Sequence, residues 1–216
     1  DGIGEVRTHY IVVLPTLPKT VFKKLWVKSA AEMALTRCNI KCMAANKNYV
    51  FVPEFEDWNV NVGGIYVYDS KTGQKLKTLP TPTTIMSQIT CDTEGNLIAN
   101  RRNSSGAGVV FFRYDAETLD REEIMYFPEG PDNLKDLGTN KMTATGSTKT
   151  GKSYIDMIGE SRKFYSWEFN DGKAVSLKPK ETTYASAKDG WDFATVKRES
   201  ADSNSDMYIA WTKMGA

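Results

Sequence analysis

Short runs rich in Val, Ile, Tyr, Phe and Thr recur along this chain between clusters of Gly, Asn, Asp and Pro, and long amphipathic helix patterns are nearly absent. That is an all-β signature. The strongest runs are Tyr49-Val50-Phe51-Val52, Leu97-Ile98-Ala99, Tyr154-Ile155-Asp156-Met157 and Tyr208-Ile209-Ala210-Trp211. They start at residues 49, 97, 154 and 208, at intervals of 48, 57 and 54. Spacing of this size matches a propeller blade of about 40 to 50 residues with a loop insertion, and exceeds most helical repeats.

Each run is preceded by a polar turn and, before it, a short strand of small side chains: Cys42-Met43-Ala44, Ile89-Thr90-Cys91, Met142-Thr143-Ala144 and Phe193-Ala194-Thr195-Val196. Small residues suit an innermost strand crowded about a central axis. A third strand follows in Gly64-Ile65-Tyr66-Val67-Tyr68, Val109-Val110-Phe111-Phe112-Arg113-Tyr114 and Lys163-Phe164-Tyr165-Ser166-Trp167-Glu168-Phe169. Turns with hairpin chemistry come next: Asp69-Ser70-Lys71-Thr72-Gly73, Asp115-Ala116-Glu117-Thr118-Leu119 and Asn170-Asp171-Gly172. A more polar fourth strand closes each unit at residues 74–79, 123–127 and 174–177, as an outer edge should.

The pattern therefore predicts an all-β single domain over 1–216, a β-propeller of four-stranded antiparallel blades, with full units at about 38–82, 83–130 and 138–184. Residues 10–37 read as a partial unit, with later strands in Tyr10-Ile11-Val12-Val13-Leu14 and 22–27, and 185–216 as the first two strands of another. Two arrangements stay open: a ring of about four blades in which the N-terminal strands complete the last unit, and a fragment of a larger propeller. One stretch, 29–37, has helical propensity for a turn or two.

Composition narrows the classes. With 28 basic and 27 acidic residues the formal charge is +1, so no general attraction for nucleic acid or an anionic membrane is expected. Hydrophobic content of 40% and mean hydropathy of -0.45 are ordinary for a soluble globular protein, and no apolar run approaches the roughly 20 residues of a membrane helix. The chain begins at Asp1 with no charged-then-apolar leader, which reads as a processed or trimmed product. Any signal peptide or lipid-bearing cysteine then lies outside it. Cys38, Cys42 and Cys91 read as small buried hydrophobes, with a Cys38 to Cys42 bridge as the alternative, and the single His9 completes no zinc site. No cofactor or metal is expected.

One segment looks enzymatic. Gly146-Ser147-Thr148-Lys149-Thr150-Gly151-Lys152-Ser153 matches the phosphate-binding pattern G-x-x-x-x-G-K-[ST] at every required position. Such a loop needs a buried strand before it and a helix N-terminus after it. Here a strand-like run follows, and the segment occupies the place in its unit that Asp92-Thr93-Glu94-Gly95-Asn96 and Ser203-Asn204-Ser205-Asp206 hold in theirs, so it reads as a turn between first and second strands. His9 has no flanking motif of nucleophilic catalysis. Glu54, Glu56 and Asp57 read as one loop cluster, solvated, or able to bind a cation or to serve as acid and base in a propeller hydrolase or lyase acting on polysaccharide.

Propeller ligands usually meet the loops between second and third strands and the links between blades. Those map to 54–61, 101–106 and 159–162, with links around Arg37, 86–88 and 189–192. They carry Trp58, Arg101, Arg102, Asn103, Arg162 and Trp191, the candidate ligand-binding residues. Aromatic faces with Arg and Asn forks suit sugars or carboxylates through stacking and paired hydrogen bonds. Packing of Trp191 between blades and of Trp58 over a loop is the structural alternative. Asn103-Ser104-Ser105 also fits a glycosylation triplet, a pattern frequent by chance.

The run Gly64-Ile65-Tyr66-Val67-Tyr68-Asp69-Ser70-Lys71-Thr72-Gly73, the later Asp92-Thr93-Glu94-Gly95-Asn96-Leu97, and residues 184–191 leading into a new unit resemble secreted bacterial propellers, uncharacterised β-propeller lipoproteins of Bacteroidetes. The likeness covers about 38–216 and lies in repeat style. It implies a surface-exposed outer-membrane lipoprotein, often encoded beside nutrient-uptake systems that capture glycans or peptides, with transporter subunits as partners. It carries over no catalytic residue. The expectation is a non-catalytic extracellular binding or scaffold module, held to the membrane only by an anchor outside this chain; the alternative is a polysaccharide-cleaving propeller, with nucleotide hydrolysis through Lys152 a distant third.

Overall fold

The computed structural model describes residues 24–29, 31–33, 42–55, 61–81, 86–101, 108–128, 142–158, 163–183 and 192–213. Among the described residues from 42 onward, runs rich in β-branched and aromatic residues between turn clusters form strands. The first sheet is β1 (Ala44–Ala45), β2 (Tyr49–Phe55), β3 (Asn61–Asp69) and β4 (Lys75–Leu79). The second is β5 (Met86–Cys91), β6 (Leu97–Arg101), β7 (Val109–Tyr114) and β8 (Arg121–Phe127). The third contains β9 (Met142–Thr145), β10 (Lys152–Ile158), β11 (Lys163–Asn170), β12 (Lys173–Ala174) and β13 (Lys180–Thr183), and the last pairs β14 (Asp192–Arg198) with β15 (Met207–Lys213). Pairing is antiparallel throughout, and the first two sheets run in chain order.

Turn chemistry sets the hairpins. Asp69 accepts from the backbone N–H groups of Lys71 (2.9 Å) and Thr72 (2.7 Å), and Asp115 does the same for Glu117 (2.9 Å) and Thr118 (3.0 Å). Both turns end with a residue in the left-handed region, Gly73 in one and Leu119 in the other, whose N–H returns to the carbonyl of the leading aspartate. The third hairpin is tighter, with Asp171 and Gly172 both at positive φ between the paired Asn170 and Lys173.

Alternation along the strands explains the core. On β6, Leu97 and Ala99 face the first sheet, where Phe51, Ile65, Val67 and Leu79 meet Val110, Phe112 and Tyr114. The intervening Ile98 faces the third sheet and joins Phe111 and Met125 against Ile155, Met157, Trp167 and Phe169. Covered on both faces, the second sheet needs continuous rather than alternating hydrophobicity, and all six residues of β7 are buried. Phe111 and Trp167 meet edge to face with centroids 5.0 Å apart. The first strands pack in series, β1 against β5, β5 against β9 and β9 against β14.

Three sequence expectations change. Residues 24–29 form no strand; Trp26 instead donates its indole N–H to the Ser70 carbonyl (3.0 Å) and lies over Gly73. Helical propensity at 29–37 yields, among the described residues, a single turn: Ser29 and Glu32 exchange backbone and side-chain bonds as a capping box, and the Met33 N–H reaches the Ser29 carbonyl. The fourth strand of the third unit is split. After β12 the chain steps out at Val175, where the Trp167 indole N–H holds the Leu177 carbonyl (3.0 Å), and re-pairs with β11 as β13. Pro179, lacking an N–H, sits in the gap. The strands expected at 10–14 and Cys38 lie outside the described residues.

Candidate functional site

In each of the first three sheets the connections from second to third strand leave at one end, and the turns from first to second and from third to fourth strand lie at the other. Of the candidate residues, Arg101 is described, and it stands at the first end. Arg101 is the final residue of β6, paired with Met86 and Val110. Trp58, Arg102, Asn103, Arg162 and Trp191 lie outside the described residues, as do Glu56, Asp57 and His9.

Glu54 corrects the expected loop cluster of carboxylates. It is a residue of β2, only 3% exposed, and accepts the Tyr66 hydroxyl at 2.6 Å. Its alternation with Val50 and Val52 turns it onto the sheet face occupied by Tyr66 and Tyr68, away from the loop. Burial, then the hydrogen bond to Glu54, pushes the Tyr66 hydroxyl up to about 12.

The turn end is closed by bonds between neighbouring sheets. Asn46 donates to the Gly95 carbonyl (2.8 Å). The Thr93 N–H reaches the Gly146 carbonyl (3.1 Å), and the Thr93 hydroxyl accepts from the Gly146 N–H (2.9 Å). Asp92 is buried and accepts from Glu94 N–H, Asn96 N–H, the Asn96 amide, Thr148 N–H and the Thr148 hydroxyl. Arg113 binds the Thr148 carbonyl and forks to Glu122 (2.6 Å). Lys149 reaches Asp115 at 2.7 Å, and that bond, with two backbone N–H groups, holds the Asp115 carboxyl well below the usual range.

The backbone donors of the segment 146–153 are engaged within the protein. A phosphate loop presents free backbone N–H groups to its ligand. Here Gly146 N–H is held by Thr93, Thr148 N–H by Asp92, Lys149 and Thr150 N–H by Ser147 Oγ, and Gly151 N–H by Asp171. Lys152 starts a strand and pairs with Glu168 at 3.1 Å. Gly146 is at φ 80, and a Cβ there would stand 2.4 Å from the Lys152 carbonyl oxygen, so the glycine serves turn closure. The turn reading holds.

A second polar cluster was not anticipated. Asp156 and Arg198, 0% and 4% exposed, join the third sheet to the fourth. Arg198 donates Nε to Asp156 Oδ2 and Nη2 to Asp156 Oδ1, each at 3.1 Å, and Nη2 also meets Ser166 Oγ at 3.1 Å. Ser166 donates to Asp156 Oδ1 at 2.6 Å, and the guanidinium stacks 4.0 Å over Tyr154. Tyr154 in turn donates to Glu168 (3.0 Å). Asp156, Ser166 and Arg198 are all buried, so their bonds join the two sheets. One signal marked it in the sequence: Asp156 interrupts an otherwise apolar run.

Cys91 packs at the margin of the core between the first two sheets, and burial pushes its thiol up to about 12. It packs as a small hydrophobe, half-buried rather than fully buried as expected.

No protein-family model and no curated protein matches the chain. Among solved structures it is similar to a protein of unknown function from Bacteroides caccae, with 15% identity, a TM-score of 0.43, and coverage of 79% of this chain and 52% of that one. A protein from Lactobacillus plantarum is similar at 14% identity and a TM-score of 0.42, over 81% of this chain and 64% of that one. The chain thus spans about half the length of the first and under two thirds of the second.

Proposed function

We propose that this chain is a non-catalytic β-propeller module that binds a glycan or peptide at the end bearing the loops 56–60, 102–107 and 159–162. Support for the propeller geometry comes from two chain-ordered four-stranded sheets, a third whose outer strand is split, and a final hairpin, whose first strands pack in series, β1 to β5 to β9 to β14. The ligand assignment rests chiefly on one observation: the opposite end spends its turn amides and carboxylates on bonds between sheets, as at Asp92, Thr93, Gly146 and Thr148. Trp58, Arg101, Arg102, Asn103, Arg162 and Trp191 supply the aromatic and forked donors that sugars and carboxylates require.

The resemblance to Bacteroidetes propeller lipoproteins extends the proposal to a cell-surface accessory of an outer-membrane uptake complex, anchored by lipid outside this chain. A binding screen against polysaccharides and peptides tests it. Trp58→Ala and Arg101→Ala should each weaken the best ligand by about tenfold or more, without product release from the ligand. Unchanged affinity in both variants, or turnover, would defeat the proposal.

A further inference from the structure

The seams between sheets differ in chemistry. Between the first and second sheets the clustered side chains are apolar, with Phe51 and Ile65 opposite Leu97 and Phe112; between the second and third the seam is built on an aromatic and aliphatic layer, with Phe111 opposite Trp167, into which Asn100 (toward Met157 Sδ, 3.8 Å) and, at the turn end, Arg113 (onto the Thr148 carbonyl) also reach. Toward β14 the third sheet turns three cross-strand rows: Thr145, Tyr154 and Glu168; Thr143, Asp156 and Ser166; and Ile158 with Phe164. Only the last row meets apolar partners, Val196 and Met207. The other two lie under Arg198, and the Thr143 and Thr145 hydroxyls are buried there without a hydrogen-bond partner.

The turn end shows the same difference. Turns 92–96 and 146–151 are knitted by hydrogen bonds between sheets. The last turn bonds within itself, Glu199 N–H to the Asp206 carbonyl (3.0 Å), Ser200 N–H to Ser205 Oγ (2.8 Å) and Ser205 N–H to the Asp202 carbonyl (3.2 Å).

We propose that the β14–β15 hairpin is a separately releasable leaf, latched onto the third sheet by the Arg198 fork on Asp156 and Ser166. A buried charge left half-paired is strongly disfavoured, so the hairpin has two favourable positions: docked with the fork complete, or released with Arg198, Asp156 and the threonine hydroxyls in water. Release here hydrates polar groups and uncovers a small apolar cluster, whereas opening either other seam would expose whole aromatic layers. The seam between third and fourth sheets is therefore where the row of sheets opens first. This depends on seam chemistry and not on any ligand at the loop end.

Native-state hydrogen exchange on the full chain, read by mass spectrometry, tests the latch. Amides of β14 and β15 should exchange at least about tenfold faster than those of β6, β7, β10 and β11. Arg198→Met, which strands the Asp156 carboxylate, should speed the hairpin by a further tenfold or so and leave β1 through β8 unchanged. The double change Arg198→Met with Asp156→Leu, which makes the seam apolar, should return hairpin exchange to the wild-type rate or below it. If Arg198→Met gives no folded protein, wild type and the double variant decide. Equal exchange of β14, β10 and β11 in wild type, or protection lost evenly across all sheets in Arg198→Met, overturns the proposal.

Discussion

Thr148 and Asp92 stand in turns of different sheets, and Thr148 gives Asp92 both its backbone N–H, at 2.8 Å, and its hydroxyl, at 2.7 Å. One carboxylate thereby organises its own turn through Glu94 and Asn96 and fixes the next sheet beside it. Asp92→Ala leaves these buried donors without an acceptor, and each such loss costs about 1–3 kcal/mol. We expect a total destabilisation of about 2–4 kcal/mol by chemical denaturation, with Asp92→Asn intermediate. A change within about 0.5 kcal/mol for Asp92→Ala would show that the turn contact is incidental.

Lys152 lies in a sequence that matches a phosphate loop and in a structure that uses its neighbouring amides elsewhere. Its ammonium meets Glu168 while 40% exposed, so the ion pair contributes little to stability. Lys152→Ala should shift stability by no more than about 0.5 kcal/mol, and calorimetric titration with ATP and magnesium should show no binding by either protein. Nucleotide binding lost on this change would reinstate the phosphate loop.

Tyr66 and Tyr114 both have hydroxyls pushed up to about 12, chiefly by burial. Each is therefore stabilising while neutral. Folded pKa values above the unfolded value of about 10 mean that this contribution is complete below pH 10 and is lost as the pH rises from about 10 through 12. Thermal melts across that window should show a falling midpoint, and tyrosinate absorption should show these two hydroxyls among the last of the ten tyrosines to ionise. Complete ionisation near pH 10 with the fold intact would contradict the burial.

Much of this architecture was legible because β-structure repeats in the chain at two scales. Period-two alternation located the strands, and the recurrence of small-residue strand, turn and apolar strand gave the four-stranded sheets. What escaped was decided by contacts remote in sequence. Glu54 read as a loop carboxylate because Glu56 and Asp57 follow it, but pairing with β3 carries its strand on to Phe55 and brings it to Tyr66. The interruption of the fourth strand at 175–179 depends on Trp167 holding Leu177. Arg198 and Asp156 are 42 residues apart in the chain, and only the packing of β14 on β10 joins them. The turn placement of 146–153, between β9 and β10, was legible because its place in the repeat outweighed its local pattern. Of the candidate ligand site, Arg101 alone falls within the described residues, at the end of β6.

Hydrogen exchange with and without the tightest glycan or peptide from a binding screen tests the central claim most directly, because it shows which end of the sheets meets the ligand. Added protection at strand ends beside the loops, around Phe55 and Asn61, Arg101 and Val109, and Ile158 and Lys163, is the predicted result. Protection confined to the turns 92–96 and 146–151, with those strand ends unchanged, would contradict it.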